Sequence, residues 1–96
     1  MRIGILGGTG PAGSALAARL ASVGFDTIVG SRSKYRAMEA VDGLLAEWEG
    51  RELTIKAGDN ADAAEADIVV IATPWDGATQ TAQSVEAKLR GKVVIS

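Results

Sequence analysis

Gly8-Thr9-Gly10-Pro11-Ala12-Gly13 begins two residues after a short apolar segment at positions 2–6. The spacing G-x-G-x-x-G between a strand and a helix is typical of the turn that binds the pyrophosphate of a dinucleotide. The first glycine allows a tight bend, the second lets the backbone approach the phosphates, and the third lets the helix pack closely on the sheet. The helix N-terminus adds free N–H groups and a partial positive charge. We therefore predict that all six residues form a dinucleotide site, although such a turn can also serve packing alone. Thr9 and Ser14 offer additional hydroxyl contacts.

A second group of residues, Ile28-Val29-Gly30-Ser31-Arg32, follows about twenty residues later in the chain. A site for NAD places Asp or Glu here to bind the ribose 2′-hydroxyl. This chain has a hydroxyl and a guanidinium instead. Lys34 and Arg36 fall in the first turn of a predicted helix, where the macrodipole disfavours each cation by about 0.3–1 kcal/mol. Because a 2′-phosphate would reverse that penalty, we predict NADP(H), with its 2′-phosphate bound by Ser31, Arg32 and Arg36. The alternative is a solvated loop with scattered cations.

Strands and helices alternate along the whole sequence. The pattern predicts strands at about 2–6, 25–30, 53–57, 67–73 and 92–96, helices at about 11–22, 34–48 and 76–89, and a short helical turn at 61–66. Pro11 and Gly24 suit the two ends of the first helix. We predict one α/β domain, residues 1–96, with a Rossmann-type doubly wound parallel sheet of order 3-2-1-4-5. Its ligand crevice should lie at the carboxyl ends of strands one and four. Because nothing follows the fifth strand to cover it, we expect a truncated sequence.

Residue spacing also predicts which side chains pack the helices. Ala12, Leu16 and Leu20 recur at three- and four-residue spacing in the first helix, and we expect this face to be buried. Tyr35 and Trp48 are predicted to pack the second helix, with contact between Tyr35 and adenine as a remote alternative.

The segment Ala72-Thr73-Pro74-Trp75-Asp76 ends the fourth strand at the predicted crevice. We predict that its backbone from Ala72 to Trp75 lines the ribose and nicotinamide, with Pro74 fixing the chain direction. Trp75 either walls the pocket of a second ligand or packs at the rim. Asp76 is predicted to be a helix N-cap rather than a catalytic acid.

The residue types that are missing restrict the chemistry. Cys and His are both absent, which excludes disulfides, thiol nucleophiles, His-based acid–base catalysis and the commonest metal ligand. The acidic run Asp59, Asp62, Glu65 and Asp67 has no evident ligand geometry, so we predict a solvated surface there and no metal site. An enzyme of this composition would need carboxylates, amines, or chemistry that asks little of side chains. Hydride transfer between two bound cofactors is of the last kind, because the protein supplies mainly orientation and electrostatics.

Charge and hydropathy restrict the partners. The first 36 residues carry a net charge of +4 and the remaining 60 a net charge of −6. Nucleic-acid binding would require a broader basic face with exposed aromatic residues, so we expect none. The longest apolar runs, such as 68–72, are far shorter than the roughly 20 residues that cross a bilayer. Met1 leads directly into the first strand with no room for a targeting segment. We expect a cytoplasmic protein with a small-molecule ligand and no membrane contact.

Together the motifs resemble those of the NADPH-dependent reductases of the deazaflavin coenzyme F420 (F420:NADP oxidoreductases). The resemblance rests on Arg2-Ile3-Gly4-Ile5-Leu6-Gly7-Gly8-Thr9-Gly10 followed by Gly13, on Val29-Gly30-Ser31-Arg32, and on Pro74-Trp75. It covers the whole chain but only the N-terminal half of such an enzyme, whose C-terminal region completes the deazaflavin pocket and much of the dimer contact. It implies hydride exchange between NADP(H) and F420 without a side-chain acid or base, in a full-length homodimer.

The resemblance also implies which residues hold the cofactor. By it, the pyrophosphate lies on Thr9 and the loop through Gly13, the 2′-phosphate on Ser31, Arg32 and Arg36, and the nicotinamide beside Pro74 and Trp75. Two alternatives stay open. One is a related reductase module that passes hydride to a flavin for metal reduction, or to an imine or keto substrate. The other is a non-catalytic NADP(H) sensor that signals through a partner.

Overall fold

A five-stranded parallel sheet forms the centre of the molecule, with strand order β3-β2-β1-β4-β5. The computed structural model describes residues 1–48, 53–72 and 93–95. The strands are β1 (Arg2–Leu6), β2 (Asp26–Ser31), β3 (Ile55–Asp59), β4 (Ile68–Ile71) and β5 (Val93–Ile95), and the helices are α1 (Pro11–Ser22), α2 (Lys34–Glu47) and α3 (Asn60–Ala63). The predicted fold class and strand order are confirmed. The helix predicted at 76–89 lies outside the described residues.

Helices cover both faces of this sheet. On one face, the buried residues of α1 and α2 join those of the central strands in one apolar cluster around Ile5, Val29 and Leu44. On the other face, Leu6, Ile28, Val69 and Ile71 pack with the alanines of α3. Coverage on both faces explains why β4 has no polar residue, as parallel strands buried on both sides read as continuous apolar runs. None of the described helices is long and apolar enough to cross a membrane.

Helix α1 buries a different face from the one predicted. Its buried residues are Gly13, Ala17, Ala18 and Ala21, whereas Ala12 is exposed, Leu16 is 37% exposed and Leu20 is half-buried. A Cβ on Gly13 would lie 2.8 Å from the Cα of Gly8. At so short a separation, only small side chains fit between the helix and the rest of the fold, so the larger leucines are turned outward.

Of the two aromatic residues predicted to pack the second helix, one does so and the other does not. Trp48 is half-buried and packs against the core, as predicted. Tyr35 is 81% exposed, so its predicted packing role is wrong. The buried residues of α2 are Ala37, Val41 and Leu44, and Tyr35 precedes Ala37 by two positions, which places it on the opposite side of the helix.

Strand β3 begins and ends two residues later than the sequence predicted. Just before it, the hydroxyl of Thr54 donates to the carbonyl oxygen of Phe25 at 2.7 Å, and the Thr54 carbonyl accepts from the Thr27 N–H at 2.9 Å, so this residue leads into the ladder with β2. The β2–β3 ladder continues to the pair of Ser31 and Asp59. Asp59 then becomes the N-cap of α3, which starts one residue earlier than predicted. The carboxyl ends of β2 and β3 therefore lie side by side next to the start of α3.

Candidate functional site

A cleft of about 770 Å³ opens at the carboxyl edge of the sheet, next to the ends of β1 and β4 as predicted and also next to those of β2 and β3. Its lining brings together eight of the predicted site residues: Thr9, Gly10, Pro11, Ala12, Ser31, Arg32, Arg36 and Ala72. Gly8 and Gly13 are buried and do not line it. Pro74 and Trp75 lie outside the described residues. The lining also includes three residues that were not predicted: Gly7, Ser33 and Asn60.

The bend after β1 is made by Gly7, not by Gly8 as predicted. Gly7 has a φ of +66°, in the left-handed region that favours glycine. Gly8 is instead held inside the fold, where its N–H donates to the carbonyl oxygen of Gly30 at 2.9 Å. A Cβ on Gly8 would lie 3.0 Å from a methyl group of Val29. The hydroxyl of Ser14 donates to the carbonyl oxygen of Gly8 at 3.0 Å, so Ser14 links the first turns of α1 to the glycine turn.

The N-terminus of α1 faces this cleft with unused hydrogen-bond donors. Its N-cap is Gly10, which has no side chain to cap the helix, and Pro11 follows. The first intrahelical bond of the helix runs from the Ser14 N–H to the Gly10 carbonyl at 2.9 Å. In the described part of the chain, the N–H groups of Ala12 and Gly13 have no partner. Free donors at a helix N-terminus, together with the macrodipole, form an anion-binding site.

Positive charge is concentrated around the start of α2. Arg32 precedes the N-cap of α2, Ser33, and Lys34 and Arg36 fall in the first turn, which contains no acidic residue. All three cations are exposed. Among the described residues, the ion pair is Arg2–Asp26, at 3.1 Å, and it lies at the opposite end of β1 from this cleft. Arg32, Lys34 and Arg36 therefore have no carboxylate partner among the described residues. Three unpaired cations at a helix N-terminus oppose the macrodipole and favour a bound anion.

Ser31 lies at the point where the cleft meets the sheet. It is the last residue of β2 and only 6% exposed. Its hydroxyl oxygen accepts a hydrogen bond from the Ser33 N–H at 3.3 Å, and the Ser33 hydroxyl in turn accepts from the Arg36 N–H at 3.5 Å. These two bonds fix the backbone that carries Arg32 and Arg36 into the cleft.

Asn60 is one of the three cleft residues that sequence reasoning missed, and it is the most buried of the polar ones after Ser31. It is the first residue of α3, only 8% exposed, and its Oδ1 accepts a hydrogen bond from the Gly7 N–H at 3.1 Å. The helix start was detectable, because Asp59 and Asp62 have the spacing of a capping box. Their carboxylates accept reciprocal N–H bonds at 2.7 and 3.1 Å.

The acidic run is exposed, as predicted, but part of it is structural. Asp59 and Asp62 cap α3, and the Asp67 carboxylate accepts a hydrogen bond from the Arg2 N–H at 2.9 Å. Across the described ranges, no group of His, Cys, Asp and Glu side chains is arranged to hold a metal ion.

Comparison with known proteins identifies the family to which this chain belongs. Residues 2–96 match the family described as NADP oxidoreductase, coenzyme F420-dependent. The chain belongs to this family. An F420-dependent NADP reductase of Methanothermobacter marburgensis is 40% identical over 96 residues, which are 99% of this chain and 43% of the relative. Its counterpart in Methanocaldococcus jannaschii is 39% identical over 99 residues, covering 100% of this chain and 44% of that protein.

A solved structure gives the same result for the fold. A protein of Arthrobacter sp. FB24, provisionally assigned as an F420-dependent NADP reductase, superposes with a TM-score of 0.80 at 26% identity, covering 98% of this chain and 43% of the other. The chain therefore spans less than half the length of these relatives.

In this family member, the fourth strand delivers Ala72 to the cleft. The Ala72 N–H donates to the carbonyl oxygen of Leu6 at 2.9 Å, which continues the β1–β4 ladder by one residue. Its methyl group would lie 3.2 Å from a Cβ on Gly13. The end of β4 thus packs against α1, directly beside the cleft.

Proposed function

We propose that residues 1–96 are the NADP(H)-binding domain of an oxidoreductase that transfers a hydride between NADPH and coenzyme F420. One observation supports the dinucleotide most strongly. The N-terminus of α1, with its free N–H groups, and two of the unpaired cations, Arg32 and Arg36, meet at one cleft. Two anionic groups on one ligand would satisfy both, and NADP(H) carries a pyrophosphate and a separate 2′-phosphate. The F420 assignment is supported by the names of the relatives.

The pyrophosphate is assigned to the α1 side. Thr9, Gly10, Pro11 and Ala12 line the cleft there, and a Cβ on Gly10 would meet no atom within 4 Å, so this backbone borders open space. In this proposal the N–H groups of Ala12 and Gly13 bind phosphate oxygens, while Gly8 and Gly13 allow the turn and α1 to pack closely.

The 2′-phosphate is assigned to Ser31, Arg32 and Arg36. Hydrogen bonds to charged groups contribute about 1.5–3 kcal/mol each, which corresponds to roughly ten- to a hundredfold preference for NADP(H) over NAD(H) per contact. Arg32 also has the planar guanidinium that stacks on an adenine ring.

The hydride side of the site is assigned to Ala72, Pro74 and Trp75, with no catalytic side chain. Because a hydride would pass directly between NADP(H) and the deazaflavin, in either direction, no residue would have to donate or remove a proton at the reacting carbons. The protein contributes proximity and orientation of the two rings. Backbone at the end of β4 would border the ribose and nicotinamide.

Nucleotide binding and hydride transfer are tested separately. Isothermal titration of the chain with NADPH and NADH should give a Kd for NADPH at least tenfold lower, and equal affinities would contradict the 2′-phosphate assignment. The full-length protein is then mixed with NADPH and oxidised F420, and the deazaflavin absorbance is followed. Loss of that absorbance is expected. No bleaching in a protein that binds NADPH would contradict F420 as the acceptor.

We also propose that the full-length protein is a cytoplasmic homodimer, a proposal supported by the family resemblance. Light scattering should give twice the mass of one full-length chain, and a monomeric mass would contradict it. Cell fractionation that recovers the protein with membranes would contradict the cytoplasmic assignment.

A further inference from the structure

The side chain of Asn60 connects α3 to the glycine turn across the end of the sheet. The two residues that it joins, Gly7 and Asn60, are 53 positions apart in the sequence. Both line the cleft, and 92% of the Asn60 surface is withdrawn from solvent. A buried amide that bonds to the backbone of a ligand turn is a feature of the site, not of the general core.

The chemistry of this contact determines how the amide is oriented. The Gly7 N–H is a donor and requires an acceptor, so the oxygen of the Asn60 amide faces Gly7 and its NH₂ group faces away. Gly7 is also the residue with φ of +66°, where the chain leaves β1 and turns toward Gly10. A hydrogen bond at this position therefore fixes the direction in which the whole turn departs from the strand.

Asn60 is itself held firmly. The capping box of Asp59 and Asp62 stabilises the first turn of α3, and packing against the sheet sets where the helix lies. The helix lies directly on the sheet, since a Cβ on Gly30 would lie 2.7 Å from the methyl group of Ala63 and one on Gly4 would overlap the Ala63 carbonyl. With the helix fixed against β1 and β2, the side chain of its first residue reaches the turn at a defined distance.

We infer that Asn60 is a positioning residue for the pyrophosphate turn, acting through the Gly7 N–H. This inference rests on the proposed function, because it matters for activity only if the turn binds a dinucleotide. A residue that acts through Gly7 should affect NADPH and NADH equally, because both carry the same pyrophosphate. It should leave the preference for the 2′-phosphate unchanged.

The first test measures the Gly7 contact without any ligand. Amide hydrogen exchange of the chain is followed by NMR in the wild type, Asn60→Ala, Asn60→Asp and Asp62→Ala. The bond lost in Asn60→Ala should speed exchange at Gly7 about five- to tenfold relative to core amides of β1. Asn60→Asp keeps an oxygen acceptor and should restore protection. Unchanged Gly7 exchange in Asn60→Ala would overturn the inference.

The second test measures binding, with Asp62→Ala as the matched control. Asp62 supports the same helix turn through its bonds with Asp59, whereas the Gly7 N–H bonds to Asn60. Asn60→Ala should raise the Kd for NADPH and for NADH by the same factor, about five- to tenfold, and Asp62→Ala by less than threefold. Equal losses in the two variants, or a loss confined to NADPH, would overturn the inference. If the wild type binds neither nucleotide, the proposed function fails, and Gly7 exchange still reports the contact independently.

Discussion

At the scale of single residues, the cations around the start of α2 are not equivalent. Arg32 and Arg36 line the cleft, whereas Lys34, although it lies between them in the sequence, does not. The two arginines also have planar, bidentate donors suited to phosphate, which an ammonium group lacks. Position and chemistry therefore give the same ranking, and Lys34 provides a control of equal charge.

We predict that Arg32→Ala weakens NADPH binding by roughly ten- to a hundredfold and NADH binding by much less, because it removes charge-assisted bonds to the 2′-phosphate. Titration of NADPH and of NADH into Arg32→Ala and into Lys34→Ala measures the four losses of affinity. Lys34→Ala should cost NADPH less than Arg32→Ala. An equal loss of NADPH and NADH affinity in Arg32→Ala would mean that Arg32 does not bind the 2′-phosphate.

Gly10→Val is predicted to abolish binding of both nucleotides while the fold is retained. The backbone at Gly10 is extended, with φ −75° and ψ 168°, and a Cβ there meets nothing within 4 Å. Replacing a glycine N-cap should cost only about 1 kcal/mol of stability. The added isopropyl group would occupy the space assigned to the pyrophosphate. Circular dichroism checks the fold and titration the binding; retained affinity would place the pyrophosphate elsewhere.

At the scale of secondary-structure elements, the contact of α3 with the sheet depends on missing side chains. Gly4 and Gly30 lie under Ala63, and each lacks the Cβ that would collide with it. Because the helix has only four residues, its position depends on this contact with the sheet. The same glycines therefore determine where Asn60 meets the turn.

Two glycine-to-alanine substitutions should change stability in opposite directions. Gly4→Ala places a Cβ on the Ala63 carbonyl and is predicted to destabilise the fold by about 1–3 kcal/mol. Gly43→Ala, in the exposed interior of α2, meets nothing within 4 Å and should stabilise it by about 0.5–1 kcal/mol. Urea unfolding measures both changes. A neutral Gly4→Ala would mean that α3 is free to move away from the sheet.

The elements also show what could be predicted from sequence. The bounds of α1 are correct because Pro11 starts it and Gly24, with φ +97°, follows its end. The prediction of its buried face is wrong because the spacing of apolar residues favours Leu16, whereas close packing of α1 on the rest of the fold admits only small residues. Asn60 was missed because its role depends on a contact with Gly7 that no local pattern encodes. Local signals therefore predicted the elements and the cations, but not how closely the elements approach.

At the scale of the whole molecule, charge is separated in the way that an anionic ligand would require. The first 36 residues carry +4 and include all of the cleft lining except Asn60 and Ala72, while the rest of the chain carries −6. Arg2, at the start of β1, is paired with Asp26. At the carboxyl edge of the sheet, Arg32, Lys34 and Arg36 have no carboxylate partner among the described residues. The electrostatic field at this edge therefore favours an approaching phosphate.

Salt should therefore weaken the binding of NADPH more steeply than that of NADH. Raising the ionic strength from about 0.01 M to 0.1 M shortens the screening length from about 30 Å to about 10 Å. The exposed cations at α2 interact with the additional charge of the 2′-phosphate, which NADH lacks, so the two Kd values should converge as salt increases. Titrations over this range measure the slopes. Lys34→Ala should flatten the NADPH slope even though Lys34 does not line the cleft, because screened attraction does not require contact. Parallel slopes for NADPH and NADH would contradict an electrostatic origin of the preference and leave it to hydrogen-bond geometry at Ser31 and Arg32.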